Sequence, residues 1–424
     1  MPGGPHQSTR RPVARVTGAR CGVVAGMSEG VAEMAGGGLY AGSPVSGRRM
    51  DEYDYGLPDM AIAQEPVEPR DSARLLVATA LGQVEHQRVR DLADLLGPGD
   101  LLVVNDTRVL PARLRLRKDT GGEAEVLLLE PLSAPLPLSA PLPSPGDGAP
   151  WSPAGRSECA ASGDWWEALV RPGRRLATGT VLRSPAGDPV VEVGERMGDG
   201  GTRRVRLSGG TAEALALGEV PLPPYLRHGL ADPERYQTVY AARPGSVAAP
   251  TAGLHLTHEL LARCRDRGVE VAAVELVVGV GTFRPVTVDD PADHVMHTEA
   301  YRVPDGTWEQ CGTVRAAGGR VVAVGTTTVR ALESAAATGA LVGRTGLYIR
   351  GCYPFRVVDL LLTNFHLPRS SLLLLVEAFA GERWRDLYAL ALREGYRFLS
   401  LGDAMLVERA SRVPGGAGER ACAP

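Results

Sequence analysis

A short segment in the second half of the chain combines turn-forming residues with groups that can carry out proton chemistry. Its sequence is Pro250-Thr-Ala-Gly-Leu-His255, and apolar periodicity over Leu254–Arg267 predicts that a helix begins within it. Free N–H groups at a helix start favour an anion, and a histidine there can act as acid or base. The segment thus predicts a catalytic or binding turn carrying Thr251, Gly253 and His255. A capped helix with a surface histidine is the alternative.

Two other segments bring histidines next to groups that could assist them. His366 stands before Pro368, which closes an apolar run; ligands bind at strand ends of α/β sheets, so a site role and a satisfied buried histidine are both open. Asp293-His-Val-Met-His-Thr-Glu299 contains an i, i+3 histidine pair that could bind a metal. Because no second ligand set accompanies this pair, we predict no metal site and favour a polar loop, with acid/base use as the intermediate alternative.

Arginines recur in the middle of the chain. Arg113-Leu-Arg-Leu-Arg117 alternates strictly and is followed by Lys118, which is the only lysine. These residues and further arginines could line one phosphate-binding face, but acidic residues are equally numerous there, so a solvated exterior is an equally good interpretation. The further arginines are Arg171, Arg174, Arg175, Arg203, Arg204 and Arg206.

Length and composition exclude several classes of protein. With 424 residues the chain is long enough for two domains, and a formal net charge of −3 requires that any nucleic acid be held by a local patch. No apolar run approaches the length of a membrane span, and the opening residues lack the apolar core of a secretory signal. The six cysteines contain no C-x-x-C pair. We therefore expect a cytoplasmic protein.

Hydrophobic patterning predicts the elements that must position these residues. The apolar run Leu101–Asn105 predicts a strand buried on both faces, and Arg113–Arg117 predicts a half-exposed one. Beyond Gly218, helical stretches alternate with β-branched runs, which indicates an α/β domain with a largely parallel sheet. Val321–Gly325 predicts a strand and turn, followed by a helix with threonines at the capping positions of Thr326–Glu333.

We expect an α/β fold: a three-layer domain built on a mixed sheet, into which a small β-barrel domain is inserted. A Pro/Ser/Ala/Gly tract within the barrel cannot bury enough apolar surface to order itself. The pair Gly279-Val-Gly281 lacks the third glycine of a dinucleotide fingerprint, so NAD binding is not supported. The predicted segments are a disordered extension 1–49, the α/β domain 50–110 and 219–410, the barrel 111–218 with a flexible insertion 132–163, and a disordered tail 411–424.

Seven longer strings say more than their spacing does. They are Asn105-Asp-Thr-Arg-Val-Leu-Pro-Ala-Arg113, Pro221-Leu-Pro-Pro-Tyr225, Tyr236-Gln-Thr-Val-Tyr240, Pro244–His255, Gly281-Thr-Phe-Arg-Pro285, Gly325–Ser334 and Leu362-Thr-Asn-Phe-His-Leu-Pro368. These strings resemble the S-adenosylmethionine:tRNA ribosyltransferase-isomerase family and occur in the family's order, and Tyr396–Met405 is similar to its closing motif. The likeness covers most of the chain, from about Tyr53 to Leu406.

The resemblance implies a reaction on a tRNA wobble base. The ribosyl part of S-adenosylmethionine is moved onto the aminomethyl group of 7-aminomethyl-7-deazaguanine and rearranged to an epoxy-cyclopentanediol, giving epoxyqueuosine-tRNA, adenine and methionine. S-adenosylmethionine is a consumed co-substrate, and we expect no bound cofactor. The expected partner is a tRNA with a GUN anticodon, and the expected state is a monomer. Alternatives are the same chemistry on a free deazaguanine or small amine, or a non-catalytic tRNA-binding homologue.

The resemblance also implies roles for residues. Acid/base or adenine-contacting roles fall to His255 and His366, with Asp106 and Glu299 as the carboxylates. The substrate-binding set is Arg108, Thr251, Gly253, Thr326, Thr327, Arg330 and Asn364, in which the arginines hold a carboxylate or phosphate. The tRNA-binding set is Arg113, Arg115, Arg117 and Lys118.

Three departures from the family pattern accompany the likeness. Val277 stands where the family usually has histidine, and Gly351-Cys-Tyr-Pro-Phe355 is an altered turn with one extra residue. The long insertion 132–163 enlarges the barrel module. The first two lie in the expected catalytic domain, where they could change the substrate.

Overall fold

The computed structural model describes residues 49–79, 84–132, 164–173, 176–198, 201–279 and 285–410. All of them belong to one compact unit, Gly38–Pro424. The predicted extension apart from Arg49, the insertion apart from Leu132 and the tail 411–424 lie outside the described residues. So do Arg174, Arg175 and residues 281–284 of the fifth family string.

The described residues form seventeen strands and seven α-helices. The strands are β1 Arg74–Ala78, β2 Glu85–Arg88, β3 Leu101–Asn105, β4 Thr107–Val109, β5 Arg113–Lys118, β6 Glu123–Pro131, β7 Trp165–Arg171, β8 Val181–Arg183, β9 Pro189–Met197, β10 Thr202–Leu207, β11 Arg243–Ser246, β12 Glu270–Leu276, β13 Glu299–Arg302, β14 Val321–Val324, β15 Val342–Thr345, β16 Leu360–Asn364 and β17 Ala404–Glu408. The helices are α1 Leu92–Leu95, α2 Thr211–Ala216, α3 His258–Asp266, α4 Asp305–Ala316, α5 Thr326–Thr338, α6 Ser371–Ala380 and α7 Trp384–Arg393. Among the described helices, none is both long and apolar enough to cross a membrane.

A nine-stranded sheet in the described residues has the order β15-β13-β12-β3-β14-β16-β17-β1-β2. The central neighbours β12, β3, β14 and β16 run parallel, as do β17 and β1. Antiparallel pairings join β15 to β13, β13 to β12, β16 to β17 and β1 to β2. The α/β fold on a mixed sheet is thus confirmed, and the parallel arrangement is concentrated at its centre.

Alternating residues of β3 show why the sheet is sandwiched between two helical layers. Leu101 and Val103 point into a core shared with α4, α5, α6 and α7, whereas Leu102 and Val104 point into one shared with α1 and α3. All four side chains are at most 3% exposed, since successive strand residues face opposite sides of a sheet. The continuous apolar run is therefore explained by burial on both faces.

Six strands close a β-barrel in the order β10-β7-β6-β5-β8-β9. Leu114 and Leu116 of β5 point into its core, and the alternating arginines point outwards, as predicted for a half-exposed strand. All six strands lie between Arg113 and Leu207, inside the predicted insertion. The exact domain bounds stay predictions.

The two connections between barrel and sheet are joined by hydrogen bonds. The Arg113 amide donates to the Glu219 carbonyl at 3.0 Å, and the Glu219 amide donates to the Arg113 carbonyl at 2.9 Å. Just before the barrel, β4 pairs in parallel with β11. The entering and leaving chain segments are thus held side by side.

Two helix starts differ from the predictions. The helix expected from Leu254 is divided into a 3₁₀ turn at Thr251–His255 and helix α3, because Thr257 caps α3 by accepting a hydrogen bond from the Leu260 amide at 3.1 Å. At α5 the N-cap is Gly325 with φ 87°, so the prediction that threonines cap this helix was wrong. The threonines form its first turn, where Thr328 Oγ1 donates to the Val324 carbonyl at 2.7 Å.

Candidate active site

The carboxyl ends of three adjacent parallel strands bring two predicted catalytic residues and three predicted substrate-binding residues to one edge of the sheet. Asp106 follows β3, Thr326 and Thr327 follow β14, and His366 follows β16, whose last residue is Asn364. Ligands of open α/β sheets bind at this edge, because the loops there converge on one crevice. The topology therefore assembles residues that lie up to 260 positions apart in sequence.

The 3₁₀ turn Thr251–His255 is tied to β16 through one amide side chain. Thr251 Oγ1 donates to Asn364 Oδ1 at 2.9 Å, and Asn364 Nδ2 lies 3.2 Å from His255 Nε2. Because the amide nitrogen donates, Nε2 accepts and the proton of the neutral ring is on Nδ1. His255 is only 4% exposed, so the alternative of a surface histidine was wrong.

Both candidate histidines are held in the neutral state. Burial lowers the pKa of His255 to about 4, and the charges of Arg397, Arg235 and Arg70 contribute to that lowering. Burial also lowers the pKa of His366 to about 3, and its Nε2 lies 2.9 Å from Thr363 Oγ1. At neutral pH each ring can donate or accept a hydrogen bond but carries no imidazolium proton to release.

Asp106 is the carboxylate in this group whose chemistry suits neutral pH. Burial raises its pKa to about 6, against the opposing charges of Arg243 and Arg302. Its Oδ2 lies 3.5 Å from Arg243 Nε, whereas Oδ1 is buried without a hydrogen-bond partner among the described residues. A carboxylate with a pKa near the working pH and an unused acceptor atom can serve as a general base.

Two further hydroxyl groups, those of Thr238 and Tyr240, are buried without a hydrogen-bond partner in the described chain. Burial raises the pKa of Tyr240 and the charge of Asp106 contributes to that rise, so the Tyr240 hydroxyl lies near this carboxylate. The side chains of Thr238 and Tyr240 pack against Gly253, where an added Cβ would lie 1.9 Å from the Tyr240 hydroxyl and 3.0 Å from Thr238 Cγ2. Gly253 is therefore required for close approach. Burying a polar group unpaired is costly, so unpaired groups clustered at a sheet edge indicate a ligand or water site.

Sequence reasoning assigned no role to Thr238 or Tyr240, although both lie in the family string Tyr236–Tyr240. That string was the only available signal, because the spacing of its residues has no catalytic meaning on its own. Arg243 was also missed, because it lies between two family strings and its spacing indicates no chemistry on its own. Its guanidinium bridges Asp106 to the buried Glu275, which also binds Arg302 at 2.9 Å.

Glu299 and Arg330 bind each other directly. Glu299 Oε1 also accepts from the Gly279 amide at 2.8 Å, and Arg330 Nε donates to the Leu347 carbonyl at 3.1 Å. Both side chains are 6% exposed. Such an arrangement fixes the guanidinium in place, so these two residues act as a structural unit beside the site.

Arg330 lines a small cavity with Thr326 and Thr327, next to the start of α6 at Ser371. Since the N-cap of α5 is a glycine, no cap side chain satisfies the first-turn amides of this helix. Thr327 is 7% exposed, and its hydroxyl has no hydrogen-bond partner among the described residues. Uncapped amides and a free hydroxyl together suit an anionic group.

The remaining predicted residues lie outside this cluster. Arg108 pairs with Glu234 on the surface. On the barrel, Arg115 Nε lies 2.9 Å from Glu219 Oε2 and Arg113 Nε lies 3.8 Å from Glu125 Oε1, while Arg117 and Lys118 end the same strand. In the described chain no three potential metal ligands, such as those around His294, gather into one group.

Comparison with known proteins gives a consistent result. Residues 50–407 match the family described as "Queuosine biosynthesis protein". A Thermus thermophilus protein named S-adenosylmethionine:tRNA ribosyltransferase-isomerase is 50% identical over 376 residues, covering 84% of this chain and 99% of that protein. A Moorella thermoacetica protein of the same name is 48% identical over 369 residues, covering 85% and 99%.

A solved structure, that of the S-adenosylmethionine tRNA ribosyltransferase from Thermotoga maritima, is 35% identical with a TM-score of 0.46 and covers 84% of this chain and 99% of its own. The family match and the near-complete coverage of the curated relatives confirm the resemblance predicted from the seven strings. The chain therefore belongs to the queuosine biosynthesis family of S-adenosylmethionine:tRNA ribosyltransferase-isomerases.

Proposed function

We propose that this protein transfers the ribosyl part of S-adenosylmethionine to 7-aminomethyl-7-deazaguanine at the wobble position of tRNA and isomerises it. The products are epoxyqueuosine-tRNA, adenine and methionine. The observation that carries this proposal is 50% identity across 99% of a relative named for that activity. The buried polar edge of the sheet supplies groups that such a reaction needs.

The reaction requires a base and a hydrogen-bond donor. The sulfonium makes the neighbouring ribose C–H acidic, and Asp106 Oδ1, with its pKa of about 6, is suited to accept that proton. Adenine must then leave, and the Nδ1–H of neutral His255 can donate a hydrogen bond to one of its ring nitrogens. His366 and Asn364 hold this part of the site in shape through Thr363 and His255.

The first turn of α5 is the part of the site best suited to the methionine carboxylate. Thr326 and Thr327 offer backbone amides and a free hydroxyl, and the Glu299–Arg330 pair supports the adjoining wall. In this proposal Arg330 contributes a fixed positive end and Glu299 acts by positioning it. The catalytic role predicted for Glu299 thus becomes a positioning role.

The proposal includes several properties expected from the family likeness alone. The tRNA carries a GUN anticodon, the protein acts as a monomer in the cytoplasm, and the reaction uses no metal or bound cofactor. S-adenosylmethionine is consumed as a co-substrate.

Adenine release from S-adenosylmethionine tests the proposal. Purified protein is incubated with tRNA carrying 7-aminomethyl-7-deazaguanine, with the unmodified tRNA, and with no RNA. We expect release only with the modified tRNA, with epoxyqueuosine in the digested RNA. Release without RNA would favour a small-molecule acceptor, and no release from folded protein would reject the enzyme.

A further inference from the structure

A cleft of about 910 Å³ lies between the barrel and the chain segment that returns to the sheet. One wall is made by the outward faces of β5, β6 and β7, and the other by residues 218–230, which contain the family string Pro221–Tyr225. Val247 and Ala248 also line the cleft, and Ala248 precedes Thr251 by three residues. The lining of the cleft therefore runs from the barrel surface to the chain segment just before the turn that carries His255.

The charges along this cleft are mainly positive. Its lining includes four arginines against two glutamates, although the whole chain has a formal net charge of −3. The arginines are Arg113, Arg115, Arg171 and Arg227, and His228 lies beside them.

The arginines of the barrel and the cleft differ in their contacts, and Arg113 and Arg115 in the cleft already pair with Glu125 and Glu219. Outside the cleft, Arg203 is buried and donates to the Gly194 carbonyl, while Arg204 and Arg206 bind glutamates on β9. Within the cleft, Arg171 is exposed, and its side chain has no hydrogen-bond or ion-pair partner among the described residues, although its backbone pairs with Glu125 of β6. Arg227 pairs with Asp59 at 2.7 Å, but both side chains are more than 60% exposed, so a phosphate can displace the carboxylate at little cost.

We propose that this cleft binds the single-stranded loop of the tRNA substrate, with Arg171 and Arg227 contacting phosphates on opposite walls. This inference rests on the proposed function. Arginine binds phosphate through two hydrogen bonds, and RNA loops present backbone and unstacked bases together. Apolar side chains such as Leu127 and Leu222 line the space between the arginines, where a base or ribose can pack. The part of the cleft lined by Val247 and Ala248 adjoins in sequence the turn that carries His255, so in this proposal the target base lies at this end.

Binding of an unmodified tRNA transcript with a GUN anticodon tests the cleft without requiring turnover. We expect Arg171→Glu and Arg227→Glu each to raise the Kd about tenfold, because each removes a charge-assisted hydrogen bond to phosphate. The slope of log K against log salt should fall by about 0.7 for each lost single-strand contact. The KM for S-adenosylmethionine should stay within about twofold of wild type, since neither residue lines the cavity at the α5 turn.

Arg183→Glu is the matched control, because Arg183 lies on barrel strand β8 outside the cleft and makes the same kind of surface ion pair, with Asp119 at 2.7 Å. The control should bind the transcript within about twofold of wild type. Unchanged binding by Arg171→Glu and Arg227→Glu, or equal weakening by Arg183→Glu, overturns the proposal. Arg171→Gln and Arg227→Gln are less disruptive to folding than the glutamate variants. Both should still weaken transcript binding more than Arg183→Glu does. If the transcript binds as described but tRNA carrying 7-aminomethyl-7-deazaguanine supports no adenine release, the proposed function fails while the cleft stands.

Discussion

The two carboxylates predicted as catalytic, Asp106 and Glu299, are equally buried at 6% exposure but differ in their surroundings. Glu299 is held by Arg330 and the Gly279 amide. Asp106 has an arginine 3.5 Å from one oxygen and no hydrogen-bond partner for the other within the described chain. The unpaired hydroxyl of Tyr240 lies near enough to Asp106 for the charge of the carboxylate to act on it.

In the proposed function, this difference distinguishes an ion pair that holds Arg330 in position from a carboxylate that reacts. Breaking a satisfied buried pair leaves an uncompensated charge, so such residues contribute chiefly to folding. A buried carboxylate with an unused oxygen costs stability and is kept where its raised pKa is useful. Substitution of Asp106 should therefore reduce activity more than stability, whereas substitution of Glu299 should reduce stability more than activity.

The largest effect is expected for Asp106→Asn. Loss of the general base should lower kcat/KM by about 10²- to 10⁴-fold. The free energy of unfolding should stay the same or rise, because the variant no longer buries a carboxylate. Adenine release gives the rate and urea unfolding gives the stability. A loss of activity matched by a loss of several kcal/mol in stability would contradict this assignment.

Glu299→Gln should reduce the stability of the fold more than the activity. Leaving Arg330 buried without its carboxylate should reduce the free energy of unfolding by about 3–5 kcal/mol. Replacing both residues, as Glu299→Leu with Arg330→Met, should recover most of that stability and thus identify a pair effect. If the single variant unfolds like wild type, the pair does not support the fold.

The pH dependence of kcat/KM should follow Asp106. Its base form exists above the raised pKa of about 6, so activity should fall about tenfold for each pH unit below 6. The same raised pKa determines how stability depends on pH. Folded Asp106 keeps a proton that the unfolded chain loses near pH 4, so protonation stabilises the folded state at low pH. This stabilisation is lost as the pH rises through 6. A profile that is flat between pH 5 and 7 would exclude Asp106 as the base.

The smallest expected effect is that of Tyr240→Phe. Removing an unpaired buried hydroxyl should leave stability within about 1 kcal/mol of wild type or raise it, while activity falls about tenfold through loss of a substrate contact. Tyr301→Phe is the control, since the Tyr301 hydroxyl donates to the Ala340 carbonyl at 2.8 Å. That variant should lose about 1 kcal/mol of stability and keep its activity. A loss of activity in Tyr301→Phe together with a loss of stability alone in Tyr240→Phe would contradict the comparison.

Sequence patterns predicted the parts of the fold that depend on local periodicity. The run Leu101–Asn105 and the alternation Arg113–Arg117 indicated β3 and β5, because burial on two faces or one imposes these patterns directly. Helix starts were harder to predict, since Thr257 and Gly325 redefine them by capping geometry that periodicity does not contain.

The site was only partly predictable for a related reason. His255, Asn364 and Thr251 were expected at the site, but their mutual hydrogen bonds depend on a tertiary contact between the 3₁₀ turn and β16. The pairing of Glu299 with Arg330 joins residues 31 positions apart, and no local pattern indicates it. Unpaired atoms, such as Asp106 Oδ1, become visible only once the burial of each atom is known.

The joined connections of the barrel have a mechanical consequence. Only residues 107–112 separate Asp106 from Arg113, and this stretch is paired with β11 before the Arg113–Glu219 bridge closes the other crossing. Two crossing segments that are hydrogen-bonded to each other restrain the rotation of the barrel more than one segment would. We therefore expect the barrel and Asp106 to move together. The distance from the barrel surface to the carboxylate should then stay nearly constant, so that it suits an RNA loop of one size.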